Sequence, residues 1–175
     1  SPDGRGEIFA VLPEGSVGNG LRIGPTGTLF VADYAGHNIL AVDPVTRFVR
    51  VLAHEPAMSQ PNDLALGPDG TIYASDPDWT AGAGRVWKIG RDGRAALLAS
   101  GLGTANGIEV SADGGTLYVN ESDQRKIWAF NLSPDGALGG KRLFAAFPDF
   151  GLDGMRCDAD GHLYVARYGK GTVVV

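Results

Sequence analysis

Cysteine is almost absent from this sequence: Cys157 is the single example among 175 residues. One thiol cannot form an internal disulfide or build a cysteine-based zinc site. Apolar and polar residues alternate around it in a strand pattern, which predicts a buried thiol in the core. The three histidines do not cluster either, so zinc is disfavoured as the metal of any site.

Long apolar runs, basic clusters and helical patterns are also missing. No apolar run approaches the ~20 residues that a transmembrane helix needs, and the net charge is −5 without a basic patch. We therefore expect neither a membrane nor a nucleic-acid partner. The chain opens without a charged-then-apolar leader, so the cytoplasm is the favoured compartment, although the sequence does not fix it.

Glycine, by contrast, is abundant, with 27 examples, and its share is about twice the ~7% average. Many of these glycines fall at matching places in four similar segments, which identifies a repeat protein. The leading residues of the segments lie 43, 44 and 47 positions apart, and they are Asn19, Asn62, Asn106 and Asp153. An aromatic residue in the next strand keeps a similar period, at Phe30, Tyr73, Tyr118 and Tyr164.

Each period of about 45 residues contains four short strands separated by turn residues, which is the pattern of a β-propeller blade. The sequence therefore predicts an all-β protein, with a single β-propeller domain over residues 1–175. Its blades are expected to be four-stranded and antiparallel. About four blades' worth of chain is present.

The two ends of the chain are predicted to be incomplete blades. Residues 6–12 have the pattern of a fourth strand without its first three, and residues 172–175 that of a third strand without a fourth. We favour a fragment of a longer propeller; the alternative is a closed ring in which the N-terminal strand completes the last blade. An open arc would expose apolar blade faces, so we expect self-association or contact with the missing blades of a longer chain.

The leading residues of the repeats are the candidate site. In a propeller the first strand of each blade lines the central channel, so Asn19, Asn62, Asn106 and Asp153 should ring the channel mouth. Amide and carboxylate oxygens are the ligands that hard cations prefer, calcium above all. We assign metal binding to Asn62, Asn106 and Asp153, and substrate binding to Asn19.

A structural alternative exists for each of these positions. Asn-Gly and Asp-Gly are common turn dipeptides because both residues tolerate positive φ. The turn explanation does not easily cover Asn62, which is followed by Asp63 and not by glycine. Trp79 falls in a predicted rim loop, where it would either line the pocket as a substrate contact or be an ordinary exposed aromatic residue.

Three motifs give the sequence a family resemblance. They are Pro61-Asn-Asp-Leu-Ala-Leu, Ala105-Asn-Gly-Ile-Glu-Val and Leu152-Asp-Gly-Met-Arg-Cys. With them the chain resembles the senescence-marker-protein, gluconolactonase and luciferin-regenerating-enzyme family, which includes regucalcin and bacterial sugar lactonases. The resemblance implies a six-bladed propeller with one divalent cation, usually calcium, at the channel mouth. It also implies that Asn62 and Asn106 are metal ligands and that Asp153 is both a ligand and the catalytic general base.

Two departures from the family pattern bear on function. Members carry a metal-binding glutamate in an early Glu-Gly-Pro motif of the first blade, and this chain begins after that point; Glu7 is no substitute. Some members also carry an arginine two residues before the first metal asparagine. Here that residue is Gln60, which weakens the case for an anionic sugar substrate.

With this resemblance, the sequence predicts a hydrolase that depends on a divalent metal and acts on a small molecule. A gluconolactonase-like lactonase is the first expectation. Calcium is the expected cofactor, with Zn²⁺, Mn²⁺ or Mg²⁺ as alternatives. A phosphotriesterase-type hydrolase is the alternative enzyme. A non-enzymatic propeller scaffold is the alternative from another class, because the glutamate of the first blade is absent.

Overall fold

The computed structural model describes residues 4–175 and builds them from fifteen β-strands. Over these residues there is no helix that could cross a membrane. The strands are β1 (Gly18–Ile23), β2 (Leu29–Asp33), β3 (Asn38–Val42), β4 (Val49–His54), β5 (Leu64–Leu66), β6 (Ile72–Asp76), β7 (Arg85–Ile89), β8 (Ala95–Ser100), β9 (Ala105–Val110), β10 (Thr116–Glu121), β11 (Lys126–Leu132), β12 (Leu138–Ala146), β13 (Met155–Cys157), β14 (Leu163–Arg167) and β15 (Thr172–Val174).

Consecutive strands pair antiparallel in four separate sheets. Blade 1 contains β1–β4, blade 2 contains β5–β8, blade 3 contains β9–β12, and blade 4 contains the three strands β13–β15. Each sheet is a simple meander in sequence order, which is the topology of a propeller blade. The predicted all-β propeller with antiparallel blades is confirmed.

The tight turns between first and second strands follow from glycine. Gly27, Gly70, Gly114 and Gly161 have φ values of 84°, 83°, 75° and 89°. Side chains with a Cβ rarely adopt this conformation, so glycine defines the turn in every blade. These turns lie at the end of the blades opposite to the leading residues of the repeats, as the strand directions require.

Apolar side chains from adjacent blades form the core. Ile39 of blade 1 clusters with Leu64 of blade 2, and Tyr73 of blade 2 with Ile108 of blade 3. Met155 of blade 4 continues the series against blade 3, and the half-buried Cys157 packs on this last cluster. Burial raises the pKa of the Cys157 thiol to about 11. The thiol is therefore mostly protonated at neutral pH, and it lies half-buried at the edge of the core where its sequence pattern predicts a buried position.

The predicted fourth strand at residues 6–12 is wrong. The described part of this segment pairs with no sheet, and Ile8 and Val11 are 77% and 79% exposed. Ala10 and Leu12 pack instead on the apolar face of blade 1. A fourth strand needs the third strand of its own blade as a partner, and β15 pairs only with β14 among the described residues. The alternative of a ring closed by the N-terminal strand is likewise not what the structure shows.

Candidate functional site

The segments that begin the four blades, at or just before their first strands, meet at one pocket of about 280 Å³. All four leading residues of the repeats line it, one from each blade: Asn19, Asn62, Asn106 and Asp153. The remaining lining residues are Gly20, Leu21, Asp63, Gly154 and Arg156. The structure thus brings together the residues that the repeat pattern predicts to ring the channel mouth.

Burial divides these four side chains into two pairs. Asn62 and Asn106 are 8% and 6% exposed, whereas Asn19 and Asp153 are open to solvent. The Oδ1 atom of Asn106 is fully buried and has no hydrogen-bond partner among the described residues. An unsatisfied buried acceptor costs about 1–3 kcal/mol of stability. An uncompensated amide oxygen that belongs to a pocket lined by further oxygens fits a divalent cation such as calcium.

The dipeptides Asn19-Gly20 and Asn106-Gly107 are not turns. Both lie inside first strands, and neither glycine has a positive φ. The glycines permit close approach of neighbouring blades: a Cβ on Gly20 would lie 2.6 Å from the Cα of Asp63, and a Cβ on Gly107 would lie 2.3 Å from the carbonyl oxygen of Asp153. The absence of a side chain at these positions lets the leading residues of adjacent blades converge.

Two side chains of the second strands hydrogen-bond to the backbones of these leading residues in the next blade. The hydroxyl of Ser75 donates a hydrogen bond to the carbonyl oxygen of Asn106 in the next blade. The amide of Asn120 donates to the carbonyl oxygen of Asp153 at 2.6 Å, and its Oδ1 accepts the Gly107 N–H at 3.2 Å. Sequence reasoning missed both residues.

Buried acids at the ends of the second strands fix the segments that enter the first strands. Asp76 is fully buried and accepts the backbone N–H groups of Ser59 and Gln60, at 2.9 and 2.7 Å. It also accepts the indole N–H of Trp87 at 2.9 Å. These bonds hold the chain just ahead of Asn62.

Asp33 has the same role in blade 1. Burial alone would raise the pKa of this carboxyl, but hydrogen bonds from Asn38, Ser16, Val17 and Gly36 lower the pKa below its ordinary value. The carboxylate therefore stays ionised and holds the segment that leads into β1.

Four charged side chains cross the channel beside the pocket. Arg22 of blade 1 is 8% exposed and donates to Asp63 of blade 2 at 2.9 Å and to Glu109 of blade 3 at 3.3 Å. Arg156 of blade 4 lies 3.8 Å from Asp63 and 3.7 Å from Glu109, and it donates to the carbonyl oxygen of Leu21 in blade 1 at 3.4 Å. The two positive and two negative charges cancel, so Asp153 is the pocket-lining carboxylate left without an arginine partner among the described residues.

Burial shifts two pKa values in this network. It raises the pKa of Glu109, and the charges of Arg22 and Arg156 offset only part of that rise. Burial, together with the nearby charge of Arg22, lowers the pKa of Arg156. The attraction between the arginines and the acids in this network is thus opposed by the free-energy cost of removing their charges from water.

Other candidates lie apart from the pocket. Trp79, 36% exposed in the loop between β6 and β7, is not among the lining residues. Glu7 is exposed and lies 3.5 Å from Arg47. Asp158 and His162 hydrogen-bond within the β13–β14 hairpin, at the opposite end of blade 4.

The fold and the pocket together define a class: β-propellers whose blades each contribute an oxygen-bearing side chain to one pocket. The family model described as the SMP-30/Gluconolactonase/LRE-like region matches residues 1–175. The chain belongs to this family.

Similar proteins include gluconolactonases and a regucalcin. A gluconolactonase from Zymomonas mobilis is 32% identical to this chain, and the match covers 86% of this chain and 49% of the relative. A gluconolactonase structure from Xanthomonas campestris superposes with a TM-score of 0.76 at 26% identity, over 90% of this chain and 60% of the other. A calcium-binding regucalcin from Agrobacterium tumefaciens gives a TM-score of 0.76 at 25% identity, over 93% and 56%. The chain spans about half the length of the gluconolactonase relative that it matches.

Proposed function

We propose that this chain provides the cation-binding and catalytic part of a lactone hydrolase that acts on a sugar lactone. The observation that carries the proposal is the buried Oδ1 of Asn106, which has no hydrogen-bond partner within residues 4–175 and belongs to a pocket that Asn62 and Asp153 also line. The similarity to gluconolactonases supports the reaction class, and the similarity to a calcium-binding regucalcin supports the cation.

The three proposed ligands divide the work of holding a cation. The amide oxygens of Asn62 and Asn106 are neutral donors, and the carboxylate of Asp153 supplies negative charge. A set made only of oxygens favours Ca²⁺, with Mg²⁺ and Mn²⁺ next and Zn²⁺ last. When bound, the cation would supply Lewis-acid polarisation of the lactone carbonyl.

Asp153 is our proposed general base. Its side chain is exposed to solvent at the pocket, while its backbone is fixed by hydrogen bonds to Ala166 and Asn120. In the proposed reaction its carboxylate accepts a proton from water as the water oxygen bonds to the carbonyl carbon. The ring C–O bond then breaks, the ring oxygen takes that proton, and the product is a hydroxy acid.

The pocket suits a small polar substrate. Its volume of about 280 Å³ admits a single sugar ring, and its lining offers amide groups for hydroxyls. Asn19 is the exposed amide on the side of blade 1 and is our proposed substrate contact. Arg156 is already engaged by Asp63 and Glu109, so we propose an uncharged lactone.

Calorimetry with Ca²⁺ and an assay of gluconolactone hydrolysis test the proposal. Asp153→Asn should lower kcat by about a hundredfold or more, since it removes the base and a ligand charge. Asp160→Asn makes the same change at the opposite end of blade 4 and should leave hydrolysis unaltered. Hydrolysis by Asp153→Asn at the wild-type rate would remove Asp153 from the mechanism.

Asn106→Leu distinguishes an effect on cation binding from an effect on stability. The substitution deletes the unpartnered oxygen, so Ca²⁺ affinity should fall by about tenfold or more while the free energy of unfolding holds or rises. If the wild-type protein shows no heat with millimolar Ca²⁺, Mg²⁺ or Mn²⁺, the scaffold alternative is favoured.

A further inference from the structure

We propose that Ser75 and Asn120 are positioning residues that keep the cation ligands of adjacent blades in register; this inference rests on the proposed function. The two residues occupy the same place in their blades, next to last in the second strand. The corresponding residues of blades 1 and 4 are Ala32 and Ala166, which have no side-chain polar group.

The two polar residues occur only at the blade interfaces between proposed ligands. Ser75 spans from blade 2 to the carbonyl oxygen of Asn106 in blade 3. Asn120 spans from blade 3 to the carbonyl oxygen of Asp153 in blade 4. At the interface of blades 1 and 2, a backbone bond from Gly20 to the carbonyl of Asn62, at 2.7 Å, occupies the equivalent place.

The contacts act on the ligand residues themselves. A hydrogen bond to the carbonyl of a ligand residue fixes the orientation of its peptide plane, and with it the direction in which the side chain leaves the backbone. Ser75 and Asn120 are both 0% exposed, so water does not compete for these bonds. Asn120 goes further, because it also accepts from Gly107, the residue that follows Asn106. One side chain therefore joins the backbones of two proposed ligands.

A nearby bond offers a matched control. The hydroxyl of Ser122 donates to the carbonyl oxygen of Leu152 at 2.5 Å, across the same interface of blades 3 and 4. This bond is buried and of the same type, but it ends on the residue before Asp153. If the bonds serve only to satisfy buried carbonyls, losing either should have the same effects.

The experiment measures Ca²⁺ affinity by calorimetry and the free energy of unfolding by denaturant. Asn120→Ala should weaken Ca²⁺ binding by about tenfold or more, whereas Ser122→Ala should lose stability with less than about a threefold change in affinity. Asn120→Asp keeps an acceptor for Gly107 but cannot donate to Asp153, so it should bind Ca²⁺ as weakly as Asn120→Ala. Asn120→Ser restores a donor of the type found at position 75 and should recover part of the affinity.

Kinetics add a second measurement. Asn120→Ala should lower kcat for gluconolactone more than it raises KM, because Asn19 and the rest of the lining remain. Where Asn120→Ala does not fold, Asn120→Ser and Ser75→Ala provide the comparison. Affinity in the folded Asn120 variants within about threefold of the wild-type value, or equal losses in Ser122→Ala, would overturn the inference. A wild-type protein that neither binds Ca²⁺ nor hydrolyses lactone would contradict the proposed function instead.

Discussion

The side chain of Asn106 keeps an oxygen where folding alone does not favour it. Its Oδ1 is buried without a hydrogen-bond partner in the described part of the chain, and an apolar residue of similar size would avoid that penalty. Ser75 holds the backbone of Asn106 by its carbonyl oxygen, so the side chain is fixed while its oxygen stays free. This combination of a restrained backbone and an unused acceptor is typical of a ligand position prepared before its ligand arrives.

Glu109 gives a pH-dependent prediction at the same scale. Its raised pKa means that the folded protein binds this proton more tightly than the unfolded chain does. The stability associated with protonated Glu109 is therefore complete below the unfolded value of about 4.5 and is lost as pH rises through the raised pKa. Glu109→Gln, which imitates the protonated form, should match wild type in acid and be more stable at neutral pH.

Denaturant unfolding between pH 4 and pH 8 would measure this difference. Glu14→Gln, an exposed substitution, should show no comparable trend with pH. A Glu109→Gln variant less stable than wild type at neutral pH would mean that the arginine pairs outweigh burial.

Residue spacing predicted which leading residues line the pocket, but not the residues that support them. Asn62, Asn106 and Asp153 keep the period of the repeat, so aligning the repeats is enough to predict that they lie at equivalent places in successive blades. Ser75 and Asn120 break the repeat, since Ala32 and Ala166 occupy the same place, and a small polar residue in a strand carries no signal of its own. Only the contact between blades reveals what they bind.

At the level of secondary-structure elements, the glycines of the first strands control how closely blades approach. A Cβ on Gly107 would meet the carbonyl oxygen of Asp153 at 2.3 Å, whereas one on Gly154 meets nothing within 4 Å among the described residues. Neither glycine has a positive φ, so the two differ in space and not in backbone conformation.

Alanine at each position should therefore have different effects. We expect Gly107→Ala to destabilise the protein by about 1–3 kcal/mol, because the overlap is with backbone that cannot rotate away. Gly154→Ala, at the equivalent place in the next repeat, should change stability little. Thermal or denaturant unfolding of the pair would decide, and equal losses would contradict the close-approach explanation.

Most elements could be predicted from hydrophobic periodicity and turn glycines, which act locally. Residues 6–12 show the limit of that reasoning. The segment has the alternation of a strand, but a strand requires a paired neighbour, and that requirement lies outside the segment. Instead, two of its apolar side chains, Ala10 and Leu12, pack on the apolar face of blade 1.

At the scale of the whole molecule, the four blades form an arc with uncovered apolar groups at both ends. Leu21 and Ile23 of blade 1 are 42% and 66% exposed, and Tyr168 and Val173 of blade 4 are 69% and 63% exposed. Apolar patches of this kind are typical of association surfaces. We propose that a second copy, or further blades of a longer chain, cover them.

Charged substitutions at the two ends test this proposal. Ile23→Lys together with Val173→Lys should shift the protein toward monomer in light scattering coupled to gel filtration, because each places a charge in the apolar contact. Val45→Lys, in the exposed turn between β3 and β4, should leave the mass unchanged. An assembly that persists in the double variant would locate the contact elsewhere.

The bond from Arg156 to the carbonyl oxygen of Leu21 joins blade 4 to blade 1 beside the pocket. Both residues line the pocket, so we expect the length of the Arg156 side chain to affect the distance between blades 1 and 4 at this point. We expect a shorter residue at position 156 to change the width of the pocket without altering Asn62, Asn106 or Asp153. Substitution at this one position is therefore a way to alter which molecules fit the pocket while the proposed ligands stay the same.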